Sequence, residues 1–227
     1  YTGEACMAYV CEAARKVVNV PLLNAGNHSM ETAADLLASG NADIVQFGRQ
    51  FIADPEFPKK LKAGHREDVR PCLICNEECI GRIFGRLTQL SCTVNVQACM
   101  ENNFQITKLE EPKNVVVIGA GPGGLEAARV AALRGCKVTV YEKTGKIGGT
   151  FGRIASPDFK KRIRDLITWY GVQLEKLGVE AGSKFTFDQV LLVSGDDVKV
   201  GNPTVAGATV TASVVAEGKD RKVIVYK

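Results

Sequence analysis

The sequence predicts an α/β protein that ends in a small antiparallel β segment. Residues 5–49 alternate helical and apolar extended patterns at the spacing of helix–strand units. Residues 114–143 repeat the order strand, helix, strand, with glycines at the first turn. After Val179 the chain changes to short β-branched runs separated by glycines, which are typical of antiparallel sheets.

The first 49 residues predict two helices and two strands. Ala, Val and Cys recur at helical spacing over residues 5–18, and an apolar strand follows from Val20. A second helix stops at Gly40 and leads to a strand that ends at Gly48. Neither strand alternates polar with apolar residues, so we expect a parallel sheet that is covered on both faces.

Composition excludes several classes of protein. The chain has 227 residues, 45% of them hydrophobic, and a formal net charge of +4. No apolar run approaches the roughly 18 residues of a membrane-spanning helix, so we expect no membrane partner. The net charge is too small to indicate nucleic-acid binding by itself. Four of the eight cysteines fall within residues 72–92, unlike a secreted disulfide scaffold, and we expect a reducing, cytoplasmic compartment.

Cys72, Cys75, Cys79 and Cys92 form the pattern C-x2-C-x3-C-x12-C. Closely spaced thiolates suit a 4Fe-4S cluster, because soft sulfur matches iron and one loop reaches several corners of the cube. Zinc is the main alternative, although structural zinc sites usually use two separated C-x2-C pairs. Structural thiols without a metal are a third interpretation. The pattern favours the cluster.

A glycine-rich turn follows the predicted strand at Asn114. Gly119, Gly121 and Gly124 fill the template G-x-G-x-x-G, in which glycines allow a tight turn, a close pyrophosphate and close helix packing. Glu142 ends the next strand 23 residues after Gly119, where a carboxylate can accept hydrogen bonds from ribose hydroxyls. This carboxylate disfavours a 2′-phosphate, so FAD and NAD remain. A purely structural turn is the alternative.

A weaker phosphate signal lies at the ends of the first two strands. Gly26 ends the first strand, and Gly48 and Arg49 end the second. In a TIM barrel the loops after the seventh and eighth strands commonly bind a phosphate through backbone N–H groups and a cation. A glycine at a strand end is usually just a turn, so this pattern alone leaves the site open.

The remaining segments are a linker, a helix and short strands. Polar residues 101–113 are typical of a linker. From about Asp158 the pattern predicts an amphipathic helix whose apolar stripe includes Phe159, Leu166 and Tyr170. We expect five parts, over residues 1–70, 71–100, 101–113, 114–172 and 173–227.

Residues 1 to about 172 resemble the multidomain iron–sulfur flavoenzymes that include 2,4-dienoyl-CoA reductase, 2-enoate reductase and trimethylamine dehydrogenase. The matching stretches are NADIVQFGRQFIADPEFPKKL, RPCLICNEECIGRIFG with SCTVN, and VVVIGAGPGGLEAARVAALRGCKVTVYEK with IGGTFG. The resemblance implies that residues 1–70 end an FMN-binding TIM barrel, with Gly26, Gly48 and Arg49 at the FMN phosphate. It implies that the four cysteines hold a 4Fe-4S cluster. It also implies a partial Rossmann-like unit in which FAD is lined by Gly119, Gly121, Gly124, Glu142, Lys143, Gly148 and Gly149.

The same resemblance implies an activity. In these enzymes electrons pass from NAD(P)H to FAD, through the cluster to FMN, and then to an activated C=C bond of a small-molecule or acyl-CoA substrate. The three residues between Cys75 and Cys79 are similar to the dienoyl-CoA and enoate reductases. The 12 residues between Cys79 and Cys92 are one more than in the dienoyl-CoA reductases. We expect the family's catalytic acid and NAD(P)H-binding half to lie outside this chain, so we assign no catalytic residue and expect no complete cycle from the chain alone.

From about Gln173 the sequence is similar to the bacterial large-subunit ribosomal protein numbered twenty-one, a small β-barrel protein that binds 23S ribosomal RNA. The string QLEKLGVE at the junction is plausible in both families, so we interpret the chain as a chimera of two partial proteins. Because it begins with Tyr1 and ends on an apparent strand, we expect both ends to be cut. The alternatives are a ribosomal RNA-binding protein and a zinc-dependent interaction module. Residues 173–227 carry 7 basic and 7 acidic side chains, which disfavours independent RNA binding.

Overall fold

The computed structural model describes residues 3–182, 184–187, 192–194 and 198–213. The chain divides into two compact units, Tyr1–Asn103 and Phe104–Lys227. Each unit contains a parallel sheet, as the sequence predicts. Within the described residues, no helix combines the length and the apolar character that crossing a bilayer requires.

The first unit begins with two helix–strand pairs. Helix α1 (Ala8–Arg15) leads to strand β1 (Leu23–Ala25), and helix α2 (Met30–Ala38) leads to strand β2 (Ile44–Gln46). The two strands pair in parallel. This order of elements confirms the alternation predicted from the apolar pattern.

Local sequence signals delimit helix α2. The Ser29 hydroxyl accepts a hydrogen bond from the Thr32 N–H group, and the Thr32 hydroxyl accepts one from the Ser29 N–H group. Gly40 adopts a φ of +72°, the left-handed conformation with which glycine commonly ends a helix. Cys11 of α1 and Leu36 of α2 belong to one apolar core, which holds the two helices together.

The expectation that these strands are buried on both faces is wrong. Strand β1 buries only its middle residue, Asn24, and β2 buries none of its three residues. Leu23 and Ile44 are 54% and 51% exposed. Within the described residues this sheet has two strands, and its helices cover one face, so apolar residues on the other face meet solvent.

Two short helices follow β2. They are α3 (Arg49–Ala53) and α4 (Phe57–Lys62). Phe51 packs edge-on against Phe57 at a ring-centroid distance of 4.6 Å, so the two helices are in contact through these rings. The cysteine-rich segment comes next and contains one π-helical turn, Gly81–Gly85.

The second unit contains the predicted strand–helix–strand element. Strand β3 (Asn114–Ile118), helix α5 (Pro122–Leu133) and strand β4 (Lys137–Tyr141) form it, and the strands pair in parallel. Helices α6 (Gly149–Ile154) and α7 (Lys161–Lys176) follow. The preceding segment is held to this unit, since the Leu109 N–H group donates to the Arg134 carbonyl at 2.9 Å.

Helix α7 packs against α5 and buries Leu166, Trp169, Tyr170 and Leu174. The Arg129 guanidinium of α5 lies 5.6 Å from the centroid of the Trp169 ring. The placement of Phe159 on this buried stripe is wrong, because Phe159 lies in a 3-10 turn before α7 begins and is 84% exposed.

A third parallel strand follows α7. Strand β5 (Glu180–Gly182) pairs with β4 and gives the sheet order β3-β4-β5. A helix between two parallel strands is the usual crossover connection, and α7 supplies it here. The α/β part of the second unit therefore extends to residue 182.

The described strands beyond β5 are antiparallel, as predicted. Strand β6 (Lys184–Phe187) pairs with β9 (Val210–Ser213), and β7 (Leu192–Ser194) pairs with β8 (Val198–Val200). The strand predicted over residues 222–227 lies outside the described residues.

Candidate functional site

The four clustered cysteines line one cavity in the first unit. Cys72, Cys75, Cys79 and Cys92 surround a solvent-open space of about 310 Å³. Arg49 and Ile52 of α3 also line this cavity. The structure thus brings together all four residues that the spacing pattern singled out.

The cysteines lie on two stretches of chain, a first cysteine arm over residues 70–79 and a second cysteine arm over residues 92–95, and the backbone of the first arm is held in an unusual conformation. Ile74 and Asn76 have φ values of +55° and +58°. A left-handed conformation is rare for a β-branched residue and costs about 1–3 kcal/mol, so the surroundings must impose it. In this conformation the Ile74 N–H group donates to the Cys72 sulfur at 3.4 Å. The strain therefore occurs where the chain bends around the cavity.

The second cysteine arm carries polar groups close to sulfur. Burial raises the pKa of the Cys92 thiol, and hydrogen bonds from the backbone of Val94 and Asn95 oppose that rise. The Cys75 sulfur lies 3.3 Å from the Thr93 hydroxyl oxygen. Such hydrogen bonds to sulfur are among the interactions that tune a bound iron–sulfur cluster.

The spacing of the sulfur atoms can be compared with the geometry of a zinc site. A tetrahedral zinc site with Zn–S bonds of about 2.3 Å places its sulfurs roughly 3.8 Å apart. Within the described part of the chain, a group of at least three ligand atoms within 4.8 Å of one another occurs at His65, Glu67 and Asp68, and the cysteines form no such group. The described cysteine sulfurs are therefore not gathered as a tetrahedral zinc site would hold them, and the choice between a cluster and zinc stays a prediction.

Helix α3 holds the first cysteine arm through two side chains. The Gln50 amide donates to the Arg70 carbonyl at 2.8 Å and accepts from the Cys72 N–H group at 3.0 Å. The Arg49 guanidinium donates to the Asn76 side-chain oxygen at 2.6 Å. Both contacts join α3 to residues at or beside cysteine ligands.

The second arm is attached to the same part of the unit. The Asn95 amide donates to the Ile52 carbonyl at 2.9 Å, and the Arg70 guanidinium donates to the Val94 carbonyl at 2.7 Å. Buried Asp54 accepts from the Arg70 N–H group at 2.8 Å. These interactions fix both arms relative to α3.

Sequence reasoning missed these supporting residues. Gln50 and Asn95 belong to no spacing pattern, so nothing in the sequence distinguishes them from surface amides. Asn76 did carry a signal, because asparagine between two cysteines is a residue that tolerates the left-handed conformation.

The residues predicted at the FMN phosphate lie around the start of α3. Gly48 precedes this helix, and a side chain at Gly48 would meet no atom within 4 Å. Arg49 also donates to the Asn27 side-chain oxygen at 3.3 Å, so it links the loop after β1 to the cysteine arm. A side chain at Gly26 would lie 3.0 Å from the Met7 nitrogen, so packing alone explains that glycine. A phosphate site here stays a prediction.

The three glycines of the G-x-G-x-x-G turn meet different constraints. Gly119 has a φ of +94°, which favours glycine. A Cβ atom on Gly124 would lie 2.0 Å from the Gly119 carbonyl oxygen, so only glycine fits there. Gly121, by contrast, has an ordinary φ of −72°, and a Cβ atom there would meet no atom within 4 Å.

Glu142 is held beside this turn by backbone donors. One carboxylate oxygen accepts from the Ala120 N–H group and the other from the Thr144 N–H group, each at 2.9 Å. Burial raises the pKa of Glu142, but the hydrogen bonds from Thr144 and Ala120 outweigh burial and lower it overall. The side chain is therefore an anion at neutral pH.

A second glycine turn approaches the first. The Gly148 N–H group donates to the Ala120 carbonyl at 2.8 Å, and a Cβ atom on Gly149 would lie 3.0 Å from the Gly121 Cα atom. Lys143 is exposed. The structure thus places Gly148 and Gly149 beside the turn, and the charge of Lys143 is one of the causes that lower the pKa of Glu142.

Two families match the oxidoreductase-like part of the chain. Residues 5–68 match the NADH:flavin oxidoreductase / NADH oxidase family, and residues 117–172 match the NAD(P)-binding Rossmann-like domain. Residues 170–227 match the ribosomal prokaryotic L21 protein. Both resemblances stated from the sequence are therefore confirmed, and the matches overlap at residues 170–172.

Individual oxidoreductases are also similar to the chain. The chain is 42% identical to cinnamate reductase of Clostridium sporogenes over 81% of its own length and 29% of that protein. It is 41% identical to NADH oxidase of Thermoanaerobacter brockii over 79% of its own length and 28% of that protein. A solved complex of 2-naphthoyl-CoA reductase with 2-naphthoyl-CoA matches 78% of the chain and 27% of the reductase, with a TM-score of 0.74 and 31% identity. The chain thus spans less than a third of the length of these relatives.

Proposed function

We propose that this chain, which joins a segment of the NADH:flavin oxidoreductase type to a segment of the ribosomal-protein type, carries cofactor-binding elements of an NAD(P)H-dependent reductase. When bound, FAD, a 4Fe-4S cluster and FMN would relay electrons from NAD(P)H to an activated C=C bond of an enoate or acyl-CoA substrate. The cavity lined by all four clustered cysteines carries this proposal. The relatives named cinnamate reductase and 2-naphthoyl-CoA reductase support the substrate class.

The cysteine cavity supports the cluster through its donor set. Four thiols in one open space, two arms fixed to a common helix and a backbone N–H group directed at the Cys72 sulfur are suited to soft iron sites. The proposal includes a reducing, cytoplasmic compartment, because four of the eight cysteines are grouped within residues 72–92 and are not spread as in a secreted disulfide scaffold. In this proposal Cys72, Cys75, Cys79 and Cys92 are the iron ligands.

Gly121 supports the dinucleotide site. Its backbone conformation is open to any residue, and the structure leaves space where a side chain would point, so folding does not explain the glycine. Gly121 also caps the N-terminus of α5, where backbone N–H groups favour an anion. Close approach of a pyrophosphate does explain it, and Glu142 would then face the ribose.

The FMN site is proposed at the loops that follow β1 and β2. Arg49 donates to two amide oxygens, and a guanidinium with five N–H groups keeps further donors for a phosphate. Gly48 and Gly26 would offer backbone N–H groups at the ends of the two strands.

Anaerobic reconstitution with iron and sulfide tests the cluster. We expect about four irons and four sulfides per chain, together with broad visible absorbance. Cys75→Ser should lower the iron content, whereas Cys136→Ser, outside the cavity, should not change it. Stoichiometric zinc with no uptake of iron would end the cluster proposal.

Titration with FAD tests the dinucleotide site. Gly121→Val should weaken binding at least about tenfold, because a branched side chain blocks the approach of the pyrophosphate while the backbone stays allowed. Gly123→Ala is the matched control, since that position is also open but lies one residue into the helix. Equal FAD affinity for wild type and Gly121→Val would refute the assignment.

The match of residues 170–227 to a ribosomal protein favours a second candidate, the binding of ribosomal RNA. The equal numbers of basic and acidic side chains over residues 173–227 make it the weaker one. Salt-sensitive co-sedimentation of the chain with large ribosomal subunits would support this candidate. If the chain does not co-sediment with the subunits, the candidate is excluded.

A further inference from the structure

The side chain of Gln50 brackets the backbone on both sides of Pro71. Its amide nitrogen donates to the Arg70 carbonyl at 2.8 Å, and its amide oxygen accepts from the Cys72 N–H group at 3.0 Å. One amide therefore satisfies a donor and an acceptor two residues apart, as a neighbouring β-strand does.

This stretch of backbone needs such a partner. Residues 69–76 belong to no helix or strand. Pro71 has no N–H group, so no regular ladder can run through the residue that precedes the first cysteine. A partly buried backbone group that loses its hydrogen-bond partner is destabilised, so the two bonds from Gln50 favour one position of Cys72.

The helix that carries Gln50 also holds the rest of the cysteine segment. Arg49 binds the Asn76 side chain, and the Ile52 carbonyl accepts from Asn95, which lies three residues after Cys92. Gln50 is the member of this group that contacts the main chain of a cysteine ligand itself. Its loss should therefore displace Cys72 more than the other sulfurs.

We propose that Gln50 is a positioning residue for the cluster, which fixes the main chain of Cys72 on α3 so that its sulfur reaches the space shared with the other three cysteines. This inference rests on the proposed 4Fe-4S site. Gln50 does not touch the iron, and it acts through the two hydrogen bonds that flank the first ligand.

The test uses the full 227-residue chain, reconstituted with iron and sulfide. Gln50→Ala should release iron to a chelator about tenfold faster than wild type, the usual scale for residues that orient a metal ligand. It should also broaden the electron paramagnetic resonance spectrum of the reduced cluster, because Cys72 would adopt several positions. Gln50→Glu keeps the acceptor for the Cys72 N–H group but loses the donor to the Arg70 carbonyl, so iron release should be faster than from wild type and slower than from Gln50→Ala.

Gln89→Ala is the matched control. Gln89 lies in the same segment and donates to the Cys99 carbonyl at 2.7 Å, but Cys99 is not among the four proposed ligands. We expect wild-type iron release and an unchanged spectrum from this variant. Release as fast as from Gln50→Ala would show that any lost hydrogen bond in the segment has the same effect, and would overturn the inference.

The outcomes separate this inference from the cluster proposal. If wild type binds no iron, the cluster proposal fails, and the role of Gln50 fails with it. If wild type forms the cluster and Gln50→Ala retains it with an unchanged spectrum, only the role of Gln50 is overturned. Should Gln50→Ala fail to fold, as judged by circular dichroism of the metal-free chain, Gln50→Glu decides: iron release faster than from wild type supports the inference, and release and a spectrum equal to those of wild type overturn it.

Discussion

Replacing Gly124 with alanine tests whether close packing fixes the first glycine turn. The added Cβ atom would lie 2.0 Å from the Gly119 carbonyl oxygen and 3.3 Å from a Val117 methyl carbon. Carbon and carbonyl oxygen normally approach to about 3.3 Å, so the turn must open by more than roughly 1 Å. A backbone oxygen cannot rotate away as a side chain can, so we expect a cost of about 3 kcal/mol, at the upper end for overpacking.

Helix propensity offsets part of this cost. Alanine is better than glycine inside a helix by about 1 kcal/mol, which leaves a net loss of about 2 kcal/mol for Gly124→Ala. Gly123→Ala has the same propensity gain and no clash within 4 Å, so it should be neutral or slightly stabilising. Alanine is thus expected to lower the free energy of unfolding at Gly124 but not at Gly123, although the two positions are neighbours in one helical turn.

Urea unfolding followed by tryptophan fluorescence measures both variants. Trp169 is the one tryptophan in the sequence, and it lies buried in α7 against α5, so it reports on the unit that contains the turn. With a slope of about 1–2 kcal/mol per molar urea, the loss lowers the midpoint for Gly124→Ala by about 1–2 M. A midpoint equal to that of wild type, or an equal fall for Gly123→Ala, would refute the packing argument.

Three other groups give measurable effects on stability. Burial lowers the pKa of His28 below 6.5, so as the pH falls the unfolded chain protonates this imidazole before the folded chain does. The free energy of unfolding should therefore fall as the pH drops below about 6.5. Urea unfolding at several pH values should show a smaller fall for His28→Gln than for wild type. Asp54→Asn removes the counter-ion 2.6 Å from the Lys60 ammonium group and should cost about 2 kcal/mol in thermal unfolding; an unchanged melting temperature contradicts this. The lowered pKa of Glu142 gives stability that is present above pH 4.5 and lost as pH falls through the folded-state value; acid titration of Glu142→Gln should lack this loss.

The parts of the site that the sequence predicted depend on short-range spacing. The four cysteines fall within one segment, and the glycines of the G-x-G-x-x-G turn fall within six residues, so the chemistry of a loop or turn constrains residue types locally. The four cysteines that the spacing singled out line one cavity, while their role as ligands stays a prediction. The spacing did not indicate how the cysteine arms are held, because Gln50 reaches Cys72 across 22 residues of sequence, and a glutamine has no pattern of its own.

The exposure of the first sheet could not be predicted for a different reason. An apolar strand pattern records that a strand tends to be buried, but not how many neighbours the described sheet has or which face its helices cover. Leu23 and Ile44 therefore satisfy the pattern of a buried strand while remaining about half exposed in the structure. Phe159 is a similar case at the start of a helix. Its spacing fits the apolar period of α7, but the residue lies in a 3-10 turn before that helix begins.

Strand β5 lies where the two sequence similarities meet. The match to cinnamate reductase covers 81% of the chain, more than the roughly three quarters that residues 1–172 make up, whereas the ribosomal match begins at residue 170. The residues of β5 are Glu, Ala and Gly, none of which favours strands, so intrinsic propensity does not explain the pairing. The edge of β4 explains the pairing of β5, because an edge strand has unpaired backbone N–H and C=O groups. These groups can bond to a strand that follows a crossover helix, whatever its side chains are. Backbone pairing after α7 thus carries the parallel sheet into the region of overlap, and the antiparallel pairs begin only with β6, at residue 184.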